Sequence, residues 1–141
     1  MNIFLEATAG EYMTHTVETV TRDVSMRDLE MKFAEYGFNA FPVRENGDIV
    51  GLVTKFDFLS CFALVPSRMV PRYSELMARS VADVMTPDFI YVDSTTKLPR
   101  VLQLMVDHRI KSIPVLDGEQ QLKGIIARED VMRALKKCAD R

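Results

Sequence analysis

The chain has 141 residues, of which 48% are hydrophobic and 27% are charged, with a formal net charge of −2. This length and composition are typical of one compact domain or of two small halves, and they exclude a disordered chain. The small net charge argues against a nucleic-acid binder, because such proteins usually carry a basic patch.

The beginning of the chain gives no targeting signal. Residues 1–10 lack a basic region and contain Glu6, and no apolar stretch approaches the roughly 18 residues of a membrane helix. Cys61 and Cys138 lie far apart in no metal-binding or redox spacing, so we expect two reduced thiols. These features predict a cytoplasmic protein without a membrane partner.

Five short elements are predicted in the first half of the chain. In order, they are a β-rich run at Thr16–Thr21, a helix with Met26, Leu29, Phe33 and Tyr36 at helical spacing, strands at Phe41–Arg44 and Ile49–Val53, and a helix from Lys55. Ser25 and Asp28 are placed as a capping box for the first helix. Asn46-Gly47 is a typical hairpin turn. The first half therefore follows the order β-α-β-β-α.

The second half repeats this order. Its elements are a run at Ile90–Val92, a helix with Leu98, Val101, Leu102 and Met105, strands at Ile113–Leu116 and Leu122–Ile126, and a helix from Arg128. Pro99 suits that helix because it lies in the first turn. Residues 63–79 are longer than a usual connection, and we expect them to be partly helical. The predicted boundaries are 10–62 for repeat 1, 63–79 for the linker and 80–137 for repeat 2.

Three recurring segments show that the two halves are copies of one repeat. They are Met13-Thr14 as Met85-Thr86, Phe41-Pro42-Val43 as Ile113-Pro114-Val115, and Gly51-Leu52-Val53 as Gly124-Ile125-Ile126. One copy of about 50 residues would bury too little apolar surface to be comfortably stable alone. We therefore expect an α/β (α+β) fold of two repeats packed face to face, with pseudo-two-fold symmetry and a cleft between them.

The order, spacing and duplication of four motifs resemble a pair of cystathionine-β-synthase (CBS) domains, called a Bateman module. The motifs are the Met-Thr dipeptide, the Gly-x-x-x-φ-Pro-Val strand, the Gly-φ-φ turn and the Thr-x-x-Asp at the last helix. The resemblance covers roughly Gly10 to Lys137. Modules of this family bind AMP, ADP, ATP or S-adenosylmethionine between the two copies, and they usually pair into a disc of four repeats. The resemblance thus implies an adenine-nucleotide site and a homodimer.

Carried over by position, the resemblance also implies which residues contact the ligand. Asp57 and Asp130 would accept hydrogen bonds from the ribose hydroxyls, and Thr54 would donate to a phosphate. Lys55 and Arg128 would be further phosphate contacts. The residues around the adenine would be Val17, Ala40, Phe41, Pro42, Ile90, Ser112, Ile113 and Pro114. A carboxylate suits a cis-diol because it can accept from both hydroxyls.

The Thr54-x-x-Asp57 motif has a second interpretation. It is also a helix cap, which stabilises a protein by roughly 1 kcal/mol without any ligand. In the second copy Ala127 replaces the threonine while Asp130 is kept. Because a cap alone would not keep the acid without the hydroxyl, we interpret the aspartates as ribose contacts. The missing hydroxyl also predicts that the site of Asp57 binds better than that of Asp130.

Other charged and polar residues carry no comparable motif. Arg109 stands where the first copy has Gly37, and we interpret it as a solvated charge. His15 and His108 have no partners at metal-ligand spacing. The sequence has no nucleophile elbow, P-loop, CxxC or GxGxxG motif. We therefore expect neither a metal site, nor a required cofactor, nor an enzymatic activity.

The predicted function is regulatory. Because the two repeats occupy nearly the whole chain, we expect nucleotide binding to change the conformation and an unidentified partner protein to respond. The first alternative is a ligand-free dimerisation module, favoured by the lost hydroxyl at Ala127. The second is a module that binds S-adenosylmethionine. Nucleic acid and membranes are not expected as partners.

Overall fold

The computed structural model describes residues 3–63 and 73–139. The helices are α1 (Ile3–Glu6), α2 (Ala9–Tyr12), α3 (Met26–Tyr36), α4 (Lys55–Ser60), α5 (Tyr73–Met77), α6 (Val81–Val84), α7 (Leu98–His108) and α8 (Arg128–Ala139). The strands are β1 (Ala40–Glu45), β2 (Asp48–Thr54), β3 (Ser112–Leu116) and β4 (Leu122–Ala127). They form two antiparallel two-stranded sheets, β1 with β2 and β3 with β4. Helices combined with small antiparallel sheets confirm the predicted α+β class.

The chain divides into two compact units, each built from parts of both repeats. Unit 1 combines the described residues up to Val17 with those from Ile90 onward, and unit 2 contains those from Glu18 to Phe89. In unit 1, Thr14 pairs with Ile125, and in unit 2, Thr86 pairs with Leu52. The Met-Thr segment of each repeat therefore lies against the hairpin of the other repeat.

The predicted boundaries at 10–62, 63–79 and 80–137 concern the sequence duplication and stay a prediction. Positions 64–72 of the predicted linker lie outside the described residues. The remainder of that segment contains α5, whose Met77 is buried in the apolar core of unit 2. Its other end, Arg79, accepts a hydrogen bond at its carbonyl from the Met26 N–H at 2.8 Å. The end of this segment is thus fixed to the start of α3.

Helix α3 begins where its sequence predicts, with the Ser25 half of the predicted capping box formed. The Ser25 hydroxyl accepts a hydrogen bond from the Asp28 N–H at 3.1 Å. Leu29 and Phe33, one turn apart, are buried in the core of unit 2. Tyr36, in the last turn, is 39% exposed and does not belong to the buried face. The apolar spacing therefore located the helix correctly but extended its buried stripe by one residue too many.

The predicted strands at Thr16–Thr21 and Ile90–Val92 are wrong in extent, since each run forms a single parallel bridge. Val20 pairs with Val43 in unit 2, and Val92 pairs with Val115 in unit 1. Each run ends in a local turn. The Asp93 carboxylate, for example, accepts hydrogen bonds from the backbone N–H and the hydroxyl of Thr95. Side-chain turns of this kind compete with strand pairing, which explains why these strands do not extend.

The two hairpins have different tips. Asn46 and Gly47 both have positive φ, 51° and 85°, as a two-residue type I′ turn requires. In the longer second tip, Asp117 accepts hydrogen bonds from the backbone N–H groups of Gln121 and Glu119. These bonds, together with nearby Lys123, lower the pKa of the Asp117 carboxyl from its ordinary value. The second tip is thus a turn organised by a carboxylate.

The residue after helix α7 predicts a stabilising substitution. Arg109 has φ 54° and ψ 44°, and Gly37 occupies the same left-handed position after α3. A residue with a Cβ is strained there by roughly 1 kcal/mol relative to glycine. Arg109→Gly is therefore expected to raise the free energy of unfolding by about 0.5–1 kcal/mol, measured by urea denaturation. The reciprocal Gly37→Ala should lower it by a similar amount, and a loss of stability in Arg109→Gly would contradict this account.

Candidate functional site

The first group of predicted ligand residues comes together in unit 2, where β2 runs into α4. We call it the Asp57 site: Ala40, Phe41, Pro42, Thr54, Lys55 and Asp57. Ala40, the first residue of β1, lies opposite Thr54, the last residue of β2. The Lys55 N–H donates to the Asn39 carbonyl at 3.0 Å. The start of the strand and the start of the helix are therefore held side by side.

A complete capping box fixes the Asp57 carboxylate. The Asp57 N–H donates to the Thr54 hydroxyl at 3.0 Å, and the Thr54 N–H donates to Asp57 Oδ2 at 2.9 Å. Both side chains are half-buried. Among the residues that the structure describes, none donates to the second carboxylate oxygen, Oδ1. The cap thus holds the carboxylate in one orientation while one of its oxygens still has its hydrogen-bonding capacity.

The side chains of the β1 residues in this site are buried. Phe41 is fully buried, with its ring centroid 4.9 Å from that of Phe33. Pro42 is also buried, and its carbonyl accepts from the Val20 N–H at 3.0 Å. The Pro42 carbonyl is therefore already paired within unit 2. The Pro114 carbonyl in unit 1 is paired in the same way with the Val92 N–H, at 3.1 Å.

The second group lies at the corresponding place in unit 1, and we call it the Asp130 site. Its predicted members are Ser112, Ile113, Pro114, Arg128 and Asp130. Ser112 lies opposite Ala127 in the sheet register, and the Arg128 N–H donates to the Lys111 carbonyl at 2.9 Å. The Ala127 N–H donates to Asp130 Oδ2 at 2.8 Å. The two sites thus share the same backbone arrangement.

The structure corrects one argument from the sequence. A cap was expected to have no use for the acid without the hydroxyl, yet Asp130 caps the N–H of Ala127 without one. Half of the capping box works alone, because a carboxylate needs no partner hydroxyl to accept from a helix N-terminus. The retention of Asp130 is therefore no argument for a ribose contact. Asp130 is also more buried than Asp57, with 6% of its surface exposed.

Sequence reasoning missed Arg133, which binds the other oxygen of Asp130. Its Nη1 donates to Asp130 Oδ1 at 3.0 Å, and its Nη2 donates to the Tyr12 carbonyl at 2.9 Å. The signal that could have revealed the ion pair is the i, i+3 spacing of opposite charges on one helix. At the corresponding position of unit 2 stands Ser60, whose hydroxyl donates to the Phe56 carbonyl instead. Both carboxylate oxygens of Asp130 are thus engaged.

The two predicted phosphate contacts also differ. Both Lys55 and Arg128 are exposed at the first position of a helix. Arg128 Nε is 3.0 Å from Glu129 Oε2, so its charge is largely balanced by its neighbour. Lys55 lies 6.0 Å from the ring centroid of Phe33 and has no described carboxylate in salt-bridge range. The positive charge of Lys55 at the Asp57 site is therefore less compensated than that of Arg128 at the Asp130 site.

Val17 and Ile90 complete the predicted set. Both are half-buried and both belong to unit 1. Ile90 packs against the apolar core of that unit. Unit 2 therefore contains neither of the two side chains expected against the adenine.

Two further observations concern metals and membranes. Across the described residues 3–63 and 73–139, no group of three or more His, Cys, Asp or Glu side chains is placed to hold a metal ion. In the same ranges no helix has the length and hydropathy that crossing a membrane requires. Cys61 and Cys138 are free thiols, both half-buried.

Comparison with known families agrees with these motifs. The family described as CBS domain matches residues 9–64 and 81–137, which is most of the chain. The chain belongs to the CBS domain family, and the resemblance predicted from its motifs is confirmed.

Two curated proteins are similar to this chain over most of its length. The protein MJ0188 of Methanocaldococcus jannaschii is 33% identical over 126 residues, which are 89% of this chain and 43% of that protein. MJ1225 of the same organism is 26% identical over 126 residues, 87% of this chain and 45% of that protein. The chain therefore spans less than half the length of these two curated relatives.

Solved structures show the same fold. The crystal structure of MJ1225 has a TM-score of 0.84 at 25% identity, covering 92% of this chain and 48% of that one. The structure of CBSX2, a protein known from Arabidopsis thaliana, has a TM-score of 0.79 at 26% identity. That likeness covers 96% of this chain and 99% of the other, and the CBSX2 structure is a complex with AMP.

Proposed function

We propose that this chain is a regulatory module that binds an adenine nucleotide, with AMP as the first candidate, and that Asp57 is its main ribose contact. The observation that carries the proposal is the half-buried Asp57 carboxylate, fixed through Oδ2 by the Thr54 N–H. Its Oδ1 has no donor among the described residues. A preoriented carboxylate of this kind suits a vicinal diol, since it accepts charge-assisted bonds without first reorganising.

The chemistry around Asp57 supports a nucleotide rather than a bare nucleoside. The Thr54 hydroxyl accepts from the Asp57 N–H, so its own proton can be donated to a phosphate oxygen. The Lys55 ammonium lies next to it in sequence and is exposed. One hydroxyl and one cation suit a single phosphate better than a triphosphate, which usually needs several cations or a metal ion. The AMP complex of CBSX2, similar over nearly its whole length, also favours AMP.

The regulatory part of the proposal is conformational. A bound nucleotide can shift an equilibrium between two forms of the chain only by its differential affinity for them. We propose that a separate partner protein responds to that shift, which would make the module a sensor of cellular energy state. We also propose that the module acts in the cytoplasm as a homodimer, without a cofactor and without catalysing a reaction.

Calorimetric titration of the full chain with AMP, ADP, ATP and S-adenosylmethionine tests the proposal. Saturable heat with AMP is expected, together with a ligand-dependent rise in Tm. Ligand at a hundred times its Kd should add about 2.7 kcal/mol to the free energy of unfolding. If only S-adenosylmethionine gave saturable heat, that compound and not a nucleotide would be the ligand. Neither heat nor a thermal shift with any of the four would contradict ligand binding.

The second candidate function is ligand-free dimerisation. The observation that favours it is the state of the Asp130 site, where Ala127 has no hydroxyl and Arg133 occupies the carboxylate. If the Asp57 site also failed to bind a ligand, the module could act only through the surface of its fold. Analytical ultracentrifugation of the same protein distinguishes the two functions. A tight dimer that binds none of the four ligands would favour the second.

A further inference from the structure

One side chain of unit 1 connects Asp130 to the segment around Tyr12. We call residues 9–14 the Tyr12 segment. The two arms of the Arg133 guanidinium donate to Asp130 Oδ1 at 3.0 Å and to the Tyr12 carbonyl at 2.9 Å. The same guanidinium lies 5.8 Å from the centroid of the Tyr12 ring. A planar fork can bond two acceptors at once, so Arg133 is a direct tie between helix α8 and this segment.

A ligand at Asp130 would compete with this tie. Asp130 is buried, Oδ2 accepts from the Ala127 N–H, and Oδ1 accepts from Arg133. A hydroxyl group that bonds Oδ1 therefore meets an oxygen that already accepts from Arg133. Arg133 itself is 57% exposed, so it can move into solvent at low cost.

The Tyr12 segment is anchored by backbone bonds near both of its ends, including one from the Ala9 N–H to the Thr96 carbonyl at 2.8 Å. The Thr14 N–H donates to the Ile125 carbonyl at 2.8 Å, and the Ile125 N–H donates back to Thr14 at 3.0 Å. The Gly10 N–H donates to the Ser94 carbonyl at 2.9 Å. Arg133 adds a bond between these two anchors, at the carbonyl that ends α2.

Unit 2 provides an internal comparison, because it has the same backbone arrangement without the tie. Its counterpart of Arg133 is Ser60, and its counterpart of Tyr12 is Val84. The Ser60 hydroxyl bonds within its own helix. The two sites therefore differ in what ligand binding can disturb. Oδ1 of Asp57 has no donor among residues 3–63 and 73–139, whereas Oδ1 of Asp130 is bonded to Arg133.

We propose that Arg133 is a positioning residue that couples the occupancy of Asp130 to the order of the Tyr12 segment. A ribose hydroxyl that bonds Oδ1 displaces one arm of Arg133, and the loss of the fork loosens the bond to Tyr12. The Asp130 site then reports its ligand through increased mobility of residues 9–14. This inference rests on the proposed nucleotide binding for its ligand, and on the described contacts alone for the tie.

Hydrogen exchange of the full chain, with peptides covering residues 9–14, tests the coupling. In the wild type, saturating AMP is expected to speed amide exchange in residues 9–14 by ~3- to 10-fold. This is the effect of losing one or two exposed charge-assisted bonds. Arg133→Ser, which copies unit 2, should exchange that much faster without ligand and show no further change with AMP. Arg133→Lys should behave like Arg133→Ser, since one ammonium cannot hold both acceptors.

Arg100→Ser is the matched control, because Arg100 is an exposed arginine of α7 that bonds Gln103 on its own helix. It should exchange like the wild type with and without AMP. An unchanged Tyr12 segment in AMP-saturated wild type, or an equal AMP response in Arg133→Ser, would overturn the coupling. If calorimetry detects no nucleotide binding, the proposed function fails, and the proposed coupling fails too. The ligand-free comparison then still decides whether the tie exists, since equal rates in wild type and Arg133→Ser would exclude it.

Discussion

Replacing Asp57 with alanine is expected to weaken AMP binding by about 100-fold. The substitution removes the acceptor of two ribose hydroxyls, and hydrogen bonds to a charged group contribute about 1.5–3 kcal/mol each. A total loss of about 3 kcal/mol corresponds to two factors of ten in Kd. Calorimetric titration of the purified variant with AMP measures the change directly. The same variant loses half of a capping box, so its free energy of unfolding should fall by roughly 1 kcal/mol.

The chain contains a control for the lost cap. Asp83 holds the corresponding capping position at the start of α6, where the Ser80 N–H donates to its Oδ2 at 3.4 Å. Asp83→Ala should therefore lose a comparable amount of stability and bind AMP with unchanged affinity. If both variants lost AMP binding equally, the effect of Asp57→Ala would come from the fraying of a helix and not from a ligand contact.

The corresponding change in the other site should affect AMP binding less. Asp130 already accepts from the Ala127 N–H and from Arg133, so it has less capacity for a ligand than Asp57. Asp130→Ala is therefore expected to raise the Kd for AMP by a smaller factor than Asp57→Ala does. An Asp130→Ala variant that abolished binding, beside an Asp57→Ala variant that left it unchanged, would reverse this ranking.

Gly124→Ala is expected to lower the free energy of unfolding by about 2–4 kcal/mol. A Cβ at this position would lie 2.7 Å from the Thr14 carbonyl oxygen and 2.7 Å from the Met13 sulfur. The methionine can move, but the carbonyl belongs to a backbone bridge with Ile125 and cannot retreat without breaking it. Overpacking typically costs 1–3 kcal/mol, and a broken backbone bond adds about 1 kcal/mol. Urea denaturation followed by circular dichroism measures the change.

Two other glycines complete this experiment. At Gly51 the added Cβ would lie 3.1 Å from the Thr86 carbonyl oxygen, so Gly51→Ala should cost about 1–2 kcal/mol. Gly118, in the second hairpin tip, has no atom within 4 Å of such a Cβ and no positive φ. Gly118→Ala should therefore stay within about 0.5 kcal/mol of the wild type. An equal cost at Gly118 and Gly124 would mean that the loss of glycine flexibility, and not the close contact, sets the effect.

These glycines show where prediction from the sequence ends. The Gly-φ-φ motif was recognised in both copies, and so was the Met-Thr motif, but the contact between them was not. Met13-Thr14 crosses Gly124 of the other repeat, and Met85-Thr86 crosses Gly51. No local rule connects two segments more than 30 residues apart in sequence. The motifs therefore identified the family correctly without revealing why they occur together.

Structural features that depend on a few neighbouring residues were predicted well. The starts of α4 and α8, the four strands and the Asn46-Gly47 turn all depend on capping, alternation or turn chemistry, which a short window contains. The short β-rich runs were overestimated, because turn-forming side chains such as Asp93 stop them after one bridge. At the candidate site the same contrast holds. The cap of Asp57 was visible in the sequence, while the tie from Arg133 to Tyr12 depends on how the chain folds back.

Unit 1 is assembled from two separate stretches of the chain, and this affects when it can fold during synthesis on the ribosome. Unit 2 is continuous and precedes the later half of unit 1, so all of it is translated before that half begins. Residues up to Val17 are translated before unit 2, yet their partners, such as Ile125 and Leu98, follow only after unit 2 is complete. At ~5–20 residues per second this interval lasts several seconds. During that time Phe4, which is buried in the finished fold, is accessible to chaperones, so a segment translated before unit 2 docks after unit 2 is complete.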